Sequence, residues 1–239
     1  MRNSLRSVRQ SLAGSYEVYL VFVDDGSTDQ TWLWLQRLFE VEPDCALLRH
    51  PENLGVSAAI LTGIRSAQTE VVCSIDCDGT YDPHQLLNFL PLLTDGVDLV
   101  TASPYHPLGH AFNVPSWRLA LSRTASALYR CILRNKLHTY TSCFRVYRRS
   151  AVVNLEITEG GFLGVTELIG KLDLGGSTIV ECPAILEVRV LGRSKMKTFQ
   201  VIVGHLRLMS RLLTNRSRHK LLAASPPKPA LVKSIGFDK

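Results

Sequence analysis

The chain has 239 residues, of which 46% are hydrophobic and 20% are charged. This balance suits one sizeable globular domain and argues against wholesale disorder. No apolar run is long enough to span a membrane without a charge, and the polar, basic N-terminus is unlike a secretory signal, so we expect neither a spanning helix nor a signal peptide.

The hydrophobic pattern alternates between helical spacing and short, continuous apolar runs typical of buried strands. In chain order it predicts a helix at 5–12, a strand at 18–23, a helix at 32–39, a strand at 46–48, a helix at 56–67, a strand at 71–75, a helix at 83–93, a strand at 97–100, a helix at 119–133, a strand at 143–147, a helix at 164–172, a strand at 178–182 and a helix at 199–213. Alternation with short connections predicts an α/β domain with a mainly parallel sheet flanked by helices. We expect this domain to cover residues 1–215, followed by a basic, disordered tail at 216–239.

Two acidic clusters directly follow predicted strands, at the edge of the sheet where open α/β folds bind ligands. Asp24 and Asp25 form the first, and a carboxylate there can accept hydrogen bonds from a base or a ribose. Asp76 and Asp78 form the second, and their spacing lets both reach one Mg²⁺ or Mn²⁺ ion that neutralises a diphosphate leaving group. Either cluster can also be read as a helix cap or a solvated turn.

Five segments in a fixed order carry a family resemblance: VDDGSTD at 23–29, NLGVSAA at 53–59, IDCDGTYDP at 75–83, TSCFR at 141–145 and RVLGRSK at 189–195. Together they resemble family 2 glycosyltransferases with the GT-A fold, over about residues 5–213. The last segment, with Glu167, Glu181 and Pro183, resembles the subgroup that makes polyprenyl (dolichyl) phosphate mannose and related sugar lipids.

The resemblance implies a role for each matching residue. Those implied at the nucleotide are Asp24, Asp25, Asn53 and Gly55. At the reacting phosphates, the resemblance implies that Asp76 and Asp78 are ligands of Mg²⁺ or Mn²⁺. It implies that the donor diphosphate or the acceptor phosphate is bound by Arg118, Arg189, Ser194 and Lys195.

The implied reaction is an inverting displacement, in which the phosphate oxygen of a polyprenyl phosphate attacks the anomeric carbon of a nucleotide sugar. GDP-mannose is the first expectation for the donor, and a UDP-sugar is the alternative. Since this acceptor is a lipid, we expect a cytoplasmic protein that is peripheral at the inner face of the membrane. Nine Lys or Arg and no Asp or Glu lie in 188–220, and this basic tract is expected to face an anionic membrane surface. We expect no nucleic-acid partner, because aromatic residues are not interleaved with these charges.

The helix at 199–213 can be read in two ways, either lying in the membrane interface or packing on the sheet as an ordinary amphipathic helix.

The sequence also departs from the family pattern. Family members open with a strand and a P-x-Y-N-E segment, whereas Met1 leads almost straight into the first predicted helix. We therefore interpret the domain as N-terminally truncated, through a misassigned start codon, a truncated gene or a degenerate remnant. Smaller departures are Thr80, Pro104 and Thr139, which leave the sugar open. Two alternative functions remain: a family 2 glycosyltransferase acting on a polysaccharide or glycan precursor, and a truncated non-catalytic membrane-associated relative.

Overall fold

The computed structural model of the protein describes residues 2–42, 44–187 and 198–224. In chain order its elements are α1 (Arg2–Leu12), β1 (Leu20–Asp24), α2 (Thr31–Phe39), β2 (Cys45–Arg49), α3 (Val56–Ser66), β3 (Val71–Ser74), a 3₁₀ turn (Pro83–Gln85), α4 (Leu86–Phe89), a second 3₁₀ turn (Leu90–Leu92), β4 (Leu99–Ser103), β5 (His110–Ala111), α5 (Ser116–Ile132), β6 (Arg145–Arg148), α6 (Arg149–Val152), α7 (Gly161–Leu174), β7 (Ile179–Pro183), β8 (Ile185–Leu186) and α8 (Thr198–Ala224). The predicted alternation is confirmed, and the pattern missed only the shortest elements, β5, α6 and β8.

The strands form three separate sheets within the described residues. A two-stranded sheet pairs β1 with β2 in parallel, and a four-stranded sheet has the order β3-β6-β4-β7. In the latter, β6 is antiparallel to both neighbours and β4 is parallel to β7. The third sheet is the short parallel pair of β5 and β8. The predicted α/β class is confirmed.

The core lies on both faces of the four-stranded sheet, because successive side chains of a strand point to opposite faces. Leu99 belongs to the cluster beneath α3, α5, α7 and α8. Val100 belongs to the opposite cluster, which includes Val8 and Leu12 of α1. Helices on both faces explain why β4 is buried along its whole length.

Helix α8 packs on the domain against α5 and α7, which decides between the two readings of its sequence. Leu208 and Leu212 are buried in the same cluster as Leu99, while Leu206 on the other side is 54% exposed. The helix also continues to Ala224, past the predicted start of the tail at 216. No helix among the described residues is long and apolar enough to cross a membrane.

Strands β1 and β3 differ from the buried strands that their sequences predict. Val71 in β3 is 37% exposed, and the strand alternates between exposed and half-buried residues. The cause is a gap: β1 pairs only with β2 and β3 only with β6, among the residues described. Their other edges line one cavity of about 2470 Å³, which we call the slot.

Candidate active site

The first acidic cluster lies at the carboxyl end of β1, in a turn that packs closely on a second loop. Gly26 has φ +67°, and a Cβ there would lie 2.3 Å from the carbonyl carbon of Glu52. Only glycine tolerates both the conformation and the approach. The DDGS turn therefore holds the loop that contains Asn53 and Gly55.

Asp25 acts as the acceptor at the centre of this arrangement. Its Oδ1 accepts the Leu54 N–H at 2.9 Å and lies 2.8 Å from His50 Nδ1, while its Oδ2 accepts the Gly55 N–H at 2.8 Å. The Asn53 amide donates in turn to the Asp25 carbonyl at 3.2 Å. Burial acts to raise the pKa of Asp25, but the hydrogen bonds from His50 and the loop outweigh it, and the pKa lies below its ordinary value. Asp25 thus shapes the pocket by fixing the 53–55 loop.

Asp24 is almost fully buried and lies beside a cation that the sequence reasoning missed. Arg49 Nε at the end of β2 is 3.1 Å from Asp24 Oδ2, and the same guanidinium donates to the Ser27 carbonyl at 3.0 Å. It also lies over the Trp32 ring, 5.4 Å from the centroid. Arg49 could have been predicted as the partner of Asp24 from the parallel register of β1 and β2, which places the two residues opposite each other.

The small residues of the NLGVSAA segment serve helix packing. Gly55 has φ +92°, and a Cβ there would lie 2.8 Å from the Gly161 nitrogen at the start of α7. Ser57 Oγ donates to the Glu159 carbonyl at 3.3 Å. These contacts bind the amino end of α3 to the amino end of α7.

The second acidic cluster lies after β3. The Asp78 Oδ1 accepts both the Thr80 hydroxyl at 2.7 Å and the Thr80 N–H at 3.1 Å, which orients the carboxylate. Asp76 lies beside the Cys143 thiol of the TSCFR segment, where burial first and the carboxylate second raise the pKa of Cys143. The structure thereby brings two of the sequence-predicted segments together.

The acidic pair fits a metal site that is completed by substrate. Among the described residues no group of three or more His, Cys, Asp or Glu side chains is placed to hold an ion. Mg²⁺ is characteristically bound by one or two carboxylates together with substrate phosphates and water. Asp76 and Asp78 match that donor set, whereas they do not match a closed, all-protein site.

Arg118 lies in the first turn of α5, near the Tyr105 phenol. Burial raises the pKa of Tyr105, and the charges of Arg123 and Arg118 act in the opposite direction. The Arg123 guanidinium lies over the Tyr105 ring at 5.3 Å. Ser122 on the same helix is hydrogen-bonded to Thr141 of the TSCFR segment at 2.9 Å, so α5 and this segment are fixed together.

Two glutamates of the resemblance, the buried Glu167 and the half-buried Glu181, hold loops in place. Glu181 accepts the backbone N–H groups of His138 and Thr139 at 2.6 and 2.9 Å. Glu167 accepts the N–H groups of Thr158 and Glu159 at 2.9 and 2.7 Å, and is 3.0 Å from Lys171. Although burial acts to raise it, these bonds lower the pKa of Glu167.

The remaining three predicted site residues, Arg189, Ser194 and Lys195, lie outside the described residues. The described chain before them ends at Glu187, whose N–H donates to the Thr80 carbonyl at 2.9 Å. Five predicted residues line the slot where β1 and β3 end: Asp24, Asp25, Asn53, Gly55 and Asp76.

Solved structures show the fold to which the chain is similar. Glucosyl-3-phosphoglycerate synthase from Mycobacterium tuberculosis, in complex with phosphoglyceric acid, matches with a TM-score of 0.60 at 19% identity, over 90% of this chain and 74% of that one. The same enzyme with Mn²⁺ and uridine-diphosphate-glucose gives 0.59 at 20% identity, over 90% and 73%. This likeness defines the GT-A fold.

The chain belongs to glycosyl transferase family 2, which matches residues 1–155, and it is a glycosyltransferase. A polyprenol monophosphomannose synthase from Mycolicibacterium smegmatis is 32% identical over 188 residues, 75% of this chain and 71% of that protein. An undecaprenyl-phosphate mannosyltransferase from Micrococcus luteus is 29% identical over 74% of this chain and 75% of its own. A dolichol-phosphate mannosyltransferase from Pyrococcus furiosus is 29% identical over 83% of this chain, which spans about half (55%) of that relative.

Proposed function

We propose that this protein transfers a sugar, mannose in the first instance, from a nucleotide sugar to a polyprenyl phosphate, with inversion at the anomeric carbon. The observation that carries the proposal is that Asp24 and Asp25 of the first acidic cluster and Asp76 of the second line one cavity, the slot, where β1 and β3 end. The names of three curated relatives, which are a polyprenol monophosphomannose synthase, a dolichol-phosphate mannosyltransferase and an undecaprenyl-phosphate mannosyltransferase, support the choice of acceptor and sugar.

The nucleotide pocket is formed by the 24–27 turn and the 53–55 loop. Asp25 holds that loop through its backbone N–H groups, and Asn53 fixes the turn in return. Asp24 orients Arg49 at the rim, where a guanidinium is suited to a nucleotide's negative charge. Asp25 thus acts on the nucleotide through the loop, and Asp24 acts through Arg49.

Asp76 and Asp78 would hold Mg²⁺ or Mn²⁺, which when bound neutralises the departing diphosphate. Thr80 fixes the orientation of the Asp78 carboxylate before the donor arrives. Arg118 supplies positive charge from α5, and we assign Arg189, Ser194 and Lys195 to the donor and acceptor phosphates. Because a phosphate monoester is already anionic near neutral pH, the attacking oxygen needs no strong base, and catalysis consists of positioning and charge stabilisation.

We also propose that the protein works peripherally at the cytoplasmic face of a membrane, where it meets its lipid acceptor. Of the basic residues on α8, Arg207 is exposed, whereas Arg211 pairs with Glu159 and Arg216 donates to the Ile132 carbonyl. Arg207 is therefore the side chain of these three that is placed to meet an anionic surface.

The test is calorimetric binding of GDP-mannose, with UDP-glucose in parallel, in the presence of Mn²⁺ and then of a chelator. We expect binding of one nucleotide sugar that the chelator abolishes. Asp78→Asn should weaken this binding by at least about tenfold, since it removes one charged metal ligand. Asp82→Asn is the matched control, because Asp82 lies in the same segment but caps a 3₁₀ turn.

Transfer is then measured as labelled mannose extracted with polyprenyl phosphate from anionic vesicles. Donor binding without transfer to the lipid, but with transfer to a glycan, would favour the polysaccharide alternative. A folded protein that binds no nucleotide sugar would contradict the proposal and favour a non-catalytic relative.

A further inference from the structure

His50 is a buried side chain that connects the turn after β1 to helix α3. Its backbone N–H donates to the Asp24 carbonyl at 2.9 Å, one residue beyond the end of β2. Only 10% of its side chain is exposed, and both ring nitrogens have partners. Nδ1 lies 2.8 Å from Asp25 Oδ1, and Nε2 lies 3.0 Å from the Thr62 hydroxyl oxygen. The imidazole therefore bridges the turn and the helix.

The two partners of His50 determine which ring nitrogen carries the proton. A carboxylate only accepts hydrogen bonds, and Asp25 is ionised at neutral pH, since the hydrogen bonds it accepts hold its pKa below the ordinary value despite burial. Nδ1 is therefore the protonated nitrogen and donates to Oδ1. In the neutral ring Nε2 is then an acceptor, and the Thr62 hydroxyl is its donor. Thr62 thus selects the tautomer of His50 that Asp25 needs.

These contacts close a circuit around the loop that Asp25 holds. Asp25 Oδ1 is shared by His50 and the Leu54 N–H, and Oδ2 faces the Gly55 N–H at 2.8 Å. Gly55 is the N-cap of α3, and Thr62 lies seven residues later, two turns along the same face of that helix. Rotation of the Asp25 carboxylate would break the bonds to the imidazole and to both loop amides together. His50 therefore braces the carboxylate in the orientation that holds the loop.

We propose that His50 is a positioning residue of the nucleotide pocket: as the tautomer that Thr62 selects, it fixes the Asp25 carboxylate and, through it, the 53–55 loop in the conformation that receives the nucleotide. A loop that is ordered before binding does not have to be ordered by the ligand, so the brace strengthens ground-state binding and leaves the chemical step unchanged. The inference rests on the proposed function for the identity of the ligand.

The experiment compares two variants that each keep one nitrogen of the ring. The amide nitrogen of His50→Asn stands near the place of Nδ1 and can still donate to Asp25. That of His50→Gln stands near the place of Nε2 and reaches towards Thr62 instead. Both variants lose the packing of the ring. We expect amide hydrogen exchange of Leu54 and Gly55, measured without nucleotide, to be at least about tenfold faster in His50→Gln than in His50→Asn.

Steady-state rates then separate positioning from chemistry. KM for the nucleotide sugar should rise at least about fivefold in His50→Gln, with kcat within about twofold of the wild-type value. His84→Gln is the matched control, because His84 also lies between a carboxylate and a hydroxyl, 2.8 Å from Asp82 and 2.9 Å from Ser7, but links the 3₁₀ turn to α1. It should leave the exchange of both loop amides and KM unchanged.

A further measurement does not depend on how the variants fold. The ¹⁵N spectrum of His50 in the wild-type protein, at about pH 8, should show a protonated Nδ1 and an unprotonated Nε2. Equal exchange in the two variants, or a neutral wild-type ring protonated at Nε2, would overturn the inference and leave the proposed function standing if nucleotide sugars bind. A wild-type protein with the expected tautomer that binds no nucleotide sugar would contradict the proposed function, and with it the ligand assigned to this loop.

Discussion

The four-stranded sheet and the two-stranded sheet are built from similarly apolar strands but end in different environments. In β4 every residue from Leu99 to Ser103 is buried, whereas in β1 only Phe22 and Asp24 are. The difference lies in the neighbours, since in the part of the chain that the structure describes β4 has a strand on each side and β1 has one. A strand in an α/β sheet thus owes its burial as much to its two flanking strands as to the helices above and below it.

The two regions are nevertheless tied together near the candidate site. α3, which follows the two-stranded sheet, contacts α7, which belongs to the four-stranded half. The contact is close enough that a Cβ on Gly164 would lie 2.4 Å from Ser57 Oγ and 2.3 Å from the Glu159 carbonyl. The geometry of the 53–55 loop therefore depends on packing against α7, in the half of the molecule that contains the four-stranded sheet.

The largest expected difference between the two regions concerns side-chain truncation. Leu99→Ala removes a fully buried side chain from β4 and should lower the free energy of unfolding by about 2–5 kcal/mol through the cavity it leaves. Val21→Ala in β1 is the matched variant, and we expect a loss of about 1 kcal/mol because Val21 is half-buried beside the slot. Urea unfolding of both variants checks this. Equal losses would mean that β1 is packed as tightly as β4.

The next prediction concerns the contact between α3 and α7. Gly164→Ala should destabilise the protein by about 1–3 kcal/mol, because the added methyl meets a backbone carbonyl and a buried serine. In Gly63→Ala the added methyl meets only Val23 Cγ2 at 3.6 Å, an ordinary contact, and we expect a gain of up to about 1 kcal/mol from helix propensity. Urea midpoints of the two variants measure the contrast. A marked loss from Gly63→Ala would show that the wall of the slot is closely packed.

The smallest effect is expected at the nucleotide loop, from Asp25→Asn. Since the folded-state pKa of Asp25 lies below its ordinary value, its carboxylate stabilises the protein above the ordinary pKa, and this stabilisation is lost as the pH falls through the lowered value. Asp25→Asn should therefore cost about 1 kcal/mol at pH 7 and lessen the loss of stability below about pH 4. Unfolding at several pH values tests this, with the exposed Asp95→Asn as control. An unchanged pH profile in Asp25→Asn would contradict the role of Asp25 as the acceptor that fixes the loop.

Sequence patterns alone determined the element order, because each helix and strand carries its own period of apolar residues. They also located the acidic clusters, since Asp24 and Asp76 come directly after the β-branched runs that form β1 and β3. The short strands β5 and β8 have too few residues to show a periodic pattern of apolar residues, so the sequence did not predict them.

Only the tertiary structure decided what the acidic side chains contact. Asp25 and Asp78 each accept hydrogen bonds from their own or a neighbouring loop, and Arg49 reaches Asp24 through strand pairing. Such partners depend on the register between strands and on which turns approach one another. The same holds for the slot: the runs that form β1 and β3 specify strands that suit burial on both faces, but whether a neighbour occupies each edge is a property of the assembled sheet.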